Sequence, residues 1–119
     1  MAQYEDLTID QGADVAVEVL LLDKDGSAKD LTGFSAAAKM KRSYNADSDN
    51  TQDFTTNIGG DLAPTSGKLV IELSNTQTNA LKPGRWVYDV EISYTDSDGD
   101  NIIERVLEGN IQVTPSVTR

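Results

Sequence analysis

A chain of 119 residues with a formal charge of −10 and neither cysteine nor histidine excludes several chemistries at once. Disulfides, thiolate nucleophiles and Cys-based zinc sites are ruled out, and so are the commonest general base and the commonest transition-metal ligand. The 20 acidic residues against 10 basic ones repel phosphate backbones, so nucleic acid is not an expected partner.

The N-terminal "MAQYEDL" has neither a basic region nor an apolar core, which argues against a signal peptide. Its "MAQY" reads as an extended arm. Leu7 and Ile9 then alternate with Asp6, Thr8 and Asp10, and Val15, Val17, Val19 and Leu21 form one face of the next segment. Such alternation predicts half-buried strands, because successive side chains point to opposite faces. The longest apolar run, Val19 to Leu22, is far short of the ~18 residues of a membrane helix.

After the turn signals "DKDGS" (23–27) and "DLTG" (30–33), Phe34, Ala36, Ala38 and Met40 line a face opposite Ser35, Lys39 and Lys41. This predicts a strand, although the helix propensity of "AAAKMK" leaves a short helix open. The cluster "KMKR" (39–42) reads as a solvated strand end, being too small for a phosphate-binding patch. Residues 43–53, "SYNADSDNTQD", lack apolar periodicity. They read either as a surface loop or as a projecting loop that contacts a partner.

Beyond "PTSGK" (64–68), Leu69, Ile71 and Leu73 form another strand face. "SNTQTNAL" (74–81) predicts one helical turn capped by Ser74 or Asn75, with Leu81 packed on the core edge. In "GRWVYDVEISY" the even positions Trp86, Tyr88, Val90, Ile92 and Tyr94 are apolar, so these aromatic side chains are expected in the core. After "DSDGD" (96–100), Leu107, Gly109, Ile111 and Val113 share the last face, and "TPSVTR" closes the chain as a second arm. About seven strands with close-spaced turns and no long helix predict an all-β fold, a single antiparallel Ig-like β-sandwich domain over 1–119. The Cys pair that flanks a strand tryptophan in antibody domains is absent, so Trp86 is expected to plug the core alone.

Three candidate chemistries can be weighed. Asp96, Asp98 and Asp100 alternate like calcium-loop ligands. A calcium loop, however, wants glycine at position 6 and glutamate at position 12; counted from Asp96 these are Asn101 and Leu107, and Gly99 comes early. "DKDGSAKD" fails in the same way. A hairpin turn with Asp98-Gly99 at its tip is the expected structure, and the three aspartates are at most weak metal candidates. No histidine is present to activate a serine or threonine, and "NIGGDL" (57–62) lacks the Lys-Ser/Thr of a phosphate loop. No enzyme activity and no cofactor are expected. Function therefore falls to the surface, where Tyr4 and Tyr44 are placed as anchors for a partner.

Three phrases carry a resemblance: "LTIDQGADVAVEVLLLDKDGSAKDLTGFS" (7–35), "GKLVIELSNTQTNALKPGRWVYDVEIS" (67–93) and "RVLEGNIQVTPSVTR" (105–119). Their order resembles small β-sandwich virion modules of tailed bacteriophages, in particular the N-terminal domain of baseplate upper proteins. The fibre or receptor-binding part that follows in those proteins has no counterpart in the sequence. The resemblance implies a non-enzymatic virion structural protein, assembled in the host cytoplasm. It would dock on a tail, baseplate or neck scaffold as an adaptor or accessory subunit, among other virion proteins in a symmetric repeated assembly. Capsid decoration on the major capsid protein is the first alternative, and a calcium- or carbohydrate-dependent adhesion module the second. Partner docking is expected among Tyr4, Leu7, Tyr44, Thr114, Val117 and Arg119.

Overall fold

The computed structural model describes residues 3–45 and 50–117. Among the described residues nine strands appear in chain order: β1 (Gln3–Tyr4), β2 (Leu7–Asp10), β3 (Val15–Leu20), β4 (Ser35–Lys41), β5 (Thr51–Asp53), β6 (Thr55–Ile58), β7 (Lys68–Leu73), β8 (Gly84–Thr95) and β9 (Asn101–Thr114). A 3-10 turn (Pro64–Ser66) precedes β7, and the short helix α1 (Asn75–Asn79) follows it. No helix among the described residues is long and apolar enough to cross a membrane.

The strands form an Ig-like sandwich of two sheets. The larger runs β1-β9-β8-β4-β5, with β2 also on β9, and the smaller runs β3-β7-β6. The pairings are antiparallel except at the N-terminus, where β1 and β2 run parallel to β9. Parallel neighbours need a long connection, and here the whole chain between first and last strands supplies it. The N-terminal segment, expected as an extended arm, is hydrogen-bonded to the protein's own β9 from Gln3 onward. At the other end the Gln11 carboxamide accepts from the Ser116 amide, so the C-terminal segment also touches the body.

Within residues 34–41, Ser35–Lys41 form a strand. Ala38 and Met40 are buried while Lys39 is exposed, and the segment pairs with β8 from Ser35↔Ser93 to Lys41↔Val87. The local helix preference of three alanines is a few tenths of a kcal/mol per residue, less than the pairing and burial it competes with. The helical turn is present, and Ser74 is its cap. Its hydroxyl accepts from the Gln77 amide while the Gln77 side chain accepts from the Ser74 amide, a reciprocal capping box. Part of the expected loop 43–53 is instead strand β5, paired with β4 through Lys39↔Asp53. Residues 46–49 of that loop lie outside the described residues.

The core lies between the sheets and includes Ile9, Leu31, Met40, Leu69, Ile71, Trp86, Ile92, Leu107 and Ile111. Trp86 is buried as expected, and its indole N–H donates to the Lys82 carbonyl at 2.9 Å. Tyr94 departs from the expectation, being 38% exposed where β8 runs past the end of the sandwich. A bulge between Val90 and Glu91 leaves Val106 as the extra residue on β9, so Val106 and its neighbour Leu107 are both buried. The bulge reverses the alternation of β9 beyond it, and Arg105 consequently emerges on the same outer face as Asp89.

Candidate functional site

The aspartate tip is a closed hairpin loop. The Asp96 amide donates to the Asp100 carbonyl at 2.9 Å, and the Gly99 amide donates to the Asp96 carbonyl at 3.1 Å. Gly99 is left-handed at φ 85°, and no described residue other than glycine has positive φ. The turn therefore has Ser97 and Asp98 at its centre with Gly99 as the bulge residue, rather than Asp98-Gly99 in a primed turn. Asp96 Oδ1 accepts from the amides of Asp98 and Asp100 at 3.0 and 2.9 Å.

Carboxylate oxygens of Asp96, Asp98 and Asp100 lie within 4.8 Å of one another, so they are the described residues best placed to hold a cation. Calcium takes about six to eight oxygens, and Asp96 Oδ1 is already committed to two amides. The loop at 23–27 closes in the same way, with the Asp23 amide on the Ser27 carbonyl at 2.8 Å and Gly26 at φ 87°. Ser27 there stands where Asp100 stands in the tip. The loop shape thus follows from glycine and one capping aspartate, and needs no metal. In the first loop the Ser27 hydroxyl and amide hold the Asp25 carboxyl below its usual pKa.

Residues 11–14 and 75–81 meet through side-chain hydrogen bonds. The buried Thr78 hydroxyl of α1 donates to the Ala13 carbonyl at 2.7 Å and accepts from the Gly12 amide at 3.1 Å. The Asp14 carboxylate accepts from the Asn75 amide, and the Gln11 carboxamide donates to the Leu81 carbonyl. "QGAD" and "NTQT" are therefore two halves of one clasp. Among the described residues, every buried side-chain polar atom has a partner.

What stands open is the outer face of the larger sheet. Period two sends Lys39 and Lys41 of β4, Arg85, Val87, Asp89 and Glu91 of β8, and Arg105 and Glu108 of β9 to this side. These three strands show solvent four cations and three anions, and Asp53 of β5 and Asp10 of β2 add two anions to the same side. Ion pairs link Lys39 to Asp53 at 3.6 Å and Arg105 to Asp89 at 3.4 Å.

Tyr4 and Tyr44 both lie on this face, 64% and 79% exposed. The Asn110 amide group donates to the Tyr4 hydroxyl, and partial desolvation followed by the Asp6 charge raises the Tyr4 phenol pKa. Tyr44 borders a shallow groove with Lys41, Val87 and Arg105. Of the other expected docking residues, Thr114 shares the outer parity of Asn110 and Gln112 on β9. Leu7 packs against the core, and the Thr114 hydroxyl donates to Asp10 Oδ1 at 2.7 Å. Val117 is fully exposed at the C-terminal end, and Arg119 lies outside the described residues. Sequence reasoning did not single out Asp89, Glu91 or Arg105 as sites, and weighed Lys39 only within the cluster "KMKR" as a phosphate contact. Charge plotted by strand face would have singled them out.

No family model matches the chain, and no curated protein matches it. Solved structures do. Murine CRIg is similar at a TM-score of 0.51 and 15% identity, over 92% of this chain and 92% of that one. AggA, the major subunit of aggregative adherence fimbriae type I from Escherichia coli, is similar at 0.40 and 10% identity, over 93% and 89%. InlP of Listeria monocytogenes is similar at 0.40 and 13% identity, over 95% of this chain and 28% of that one. The CRIg likeness agrees with the Ig-like arrangement of the two sheets read from the strand pairings.

Proposed function

We propose that this is a non-enzymatic structural protein of a tailed bacteriophage virion, an adaptor or accessory subunit on a tail, baseplate or neck scaffold. The observation that carries the reading is the solvated outer face of the larger sheet. It presents Tyr4, Tyr44 and Val87 beside charges of both signs. Tyrosines among charges of both signs favour protein contact, and the net negative charge of the chain discourages indiscriminate association. The phage setting is supported by the resemblance of the ordered sequence phrases, which include both halves of the Gln11–Thr78 clasp.

Quantitative mass spectrometry and antibody labelling of purified particles of the encoding phage test this reading. Tens of copies at the tail or neck are expected. Hundreds of copies over the shell would replace it with capsid decoration, and absence from the particle would overturn it.

A further inference from the structure

The smaller sheet ends at β3, which pairs with β7 on one side and with no strand among the described residues on the other. The Leu21 amide donates to the Gly67 carbonyl at 2.8 Å, in the same register that sets Val15 against Leu73. Odd-numbered residues therefore turn their amides and carbonyls toward β7, and Ala16, Glu18 and Leu20 turn theirs outward. The phase persists past the strand. The Lys29 amide donates to the Leu21 carbonyl and the Asp23 amide to the Ser27 carbonyl, so Leu22, facing Ala28 between these bonds, also turns its backbone groups outward. From Ala16 to Leu22 the edge is a continuous row of donors and acceptors with no partner among the described residues.

Sheet edges are usually protected by short strands, proline, lysine or bulges. The other edge strands are short: β2 and β6 have four residues and β5 has three. β3 has six, "VAVEVL", with no proline, lysine or bulge. Leu20 and Leu22 beside the open edge are 60% and 55% exposed. Val15 and Val17 point between the sheets yet are only half-buried, whereas Val19 is buried. One more strand would close over them.

The edge also defines the chemistry of its occupant. A row of outward backbone groups at every second residue takes an extended chain, by the same bonds that hold β7. The side chains this chain sends between the sheets meet Val15 and Val17, so they are apolar. Those on the outer side pass Glu18, and exposed Asp14 and Asp23 flank the row, so they are basic or neutral. A second copy of β3 fits less well, because it brings its own Asp14, Glu18 and Asp23 and a second charge of −10.

We propose that β3 with its extension to Leu22 is a strand-addition site, filled by an extended segment of a partner protein that has apolar residues at alternate positions and basic residues between them. The site goes beyond the structural-subunit reading and uses a different surface from the outer face of the larger sheet. Its failure would leave that reading standing, and absence of the protein from a particle would leave this site standing.

The probe is an end-capped heptapeptide alternating lysine and valine, titrated to millimolar against the full chain and followed by amide NMR and hydrogen exchange. The amides of Ala16, Glu18, Leu20 and Leu22 are expected to gain protection of about tenfold or more, and a peptide of the same composition with its valines in one block to give none. Glu18→Pro removes an outward amide without breaking a bond to β7. Leu20→Lys alters only an exposed side chain and sets a like charge against the peptide. Each is expected to weaken binding by about tenfold or more, and Leu20→Lys to melt as wild type does. No binding overturns the proposal, as does protection at another edge, equal binding of the block peptide, or binding indifferent to both substitutions. Protection of the same four amides that rises with protein concentration alone would assign the edge to a second copy and likewise overturn it.

Discussion

The Tyr88 hydroxyl donates a 2.7 Å hydrogen bond to the backbone carbonyl of Glu5, joining β8 to the β1–β2 junction. The bond passes over Gly109, which faces Tyr88 in the β8–β9 ladder. A Cβ at Gly109 would collide with the Glu5 carbonyl oxygen and sit 3.2 Å from the Tyr88 ring. Asp6 completes the crossing by accepting from the Asn110 amide at 3.1 Å. The N-terminal strand thus dips toward the core at the one place where β9 has no side chain.

Tyr88→Phe should lower stability by about 1–3 kcal/mol, because it leaves the Glu5 carbonyl without its partner. Urea denaturation with an unchanged m-value would register this as a lower midpoint. Burial, and after it the charge of Glu5, push the Tyr88 phenol well above its ordinary pKa in the folded chain. The folded state therefore holds this proton more tightly than the unfolded one. The resulting stabilisation is complete below the unfolded value of about 10 and is lost as pH climbs beyond it. Wild-type stability should fall more steeply above that pH than the stability of Tyr88→Phe.

Gly109→Ala should cost more than ~2 kcal/mol, since the added methyl displaces backbone rather than a flexible side chain. The Glu5 amide, bonded to the Glu108 carbonyl at 2.9 Å, should lose hydrogen-exchange protection. Gly99→Ala makes the contrast. Gly99 has positive φ with nothing near its missing Cβ, so its loss should cost only about 1–2 kcal/mol of backbone strain. Equal costs at the two sites would refute the close-approach argument.

Thr78→Val keeps the shape of a fully buried side chain but removes the hydroxyl that serves Gly12 and Ala13. A loss of roughly 2–3 kcal/mol is expected from the two stranded backbone groups. Thr78→Ser keeps the hydroxyl and should cost only about 1 kcal/mol for the lost methyl. If valine proved the milder change in thermal melts, the clasp would be packing rather than hydrogen bonding.

At the aspartate tip, Asp96→Ala should destabilise the hairpin by about 1 kcal/mol, because Asp96 Oδ1 caps two amides. Asp98→Ala and Asp100→Ala should be near neutral or slightly stabilising through relief of like-charge repulsion. Millimolar calcium should leave the melting temperature unchanged. A rise with calcium that Asp98→Ala abolishes would restore a metal site.

The strands with apolar faces were legible because period two survives wherever one side meets the core, as in Trp86 to Ile92. Ser74 was legible as a cap through its own chemistry. β5 and β6 escaped because "TQD" and "TTNI" carry little apolar signal; their pairing is fixed by Lys39↔Asp53 and Ile58↔Leu69 in three dimensions. The parallel seat of β1 and β2 escaped because it joins residues about a hundred positions apart, as Leu7↔Ile111 does. Tyr4 and Tyr44 were legible as exposed side chains, but their common face was not. That face exists only once β4, β8 and β9 lie side by side in register.

The central claim is that this protein acts through the outer face of its larger sheet within an assembled particle. Quantitative lysine labelling of the particle-bound and the dilute free protein tests it most directly. The account predicts that Lys39 and Lys41 are strongly protected in the particle while Lys24, in the 23–27 loop, reacts equally in both. Equal reactivity of Lys39 and Lys41 in the two states would contradict it.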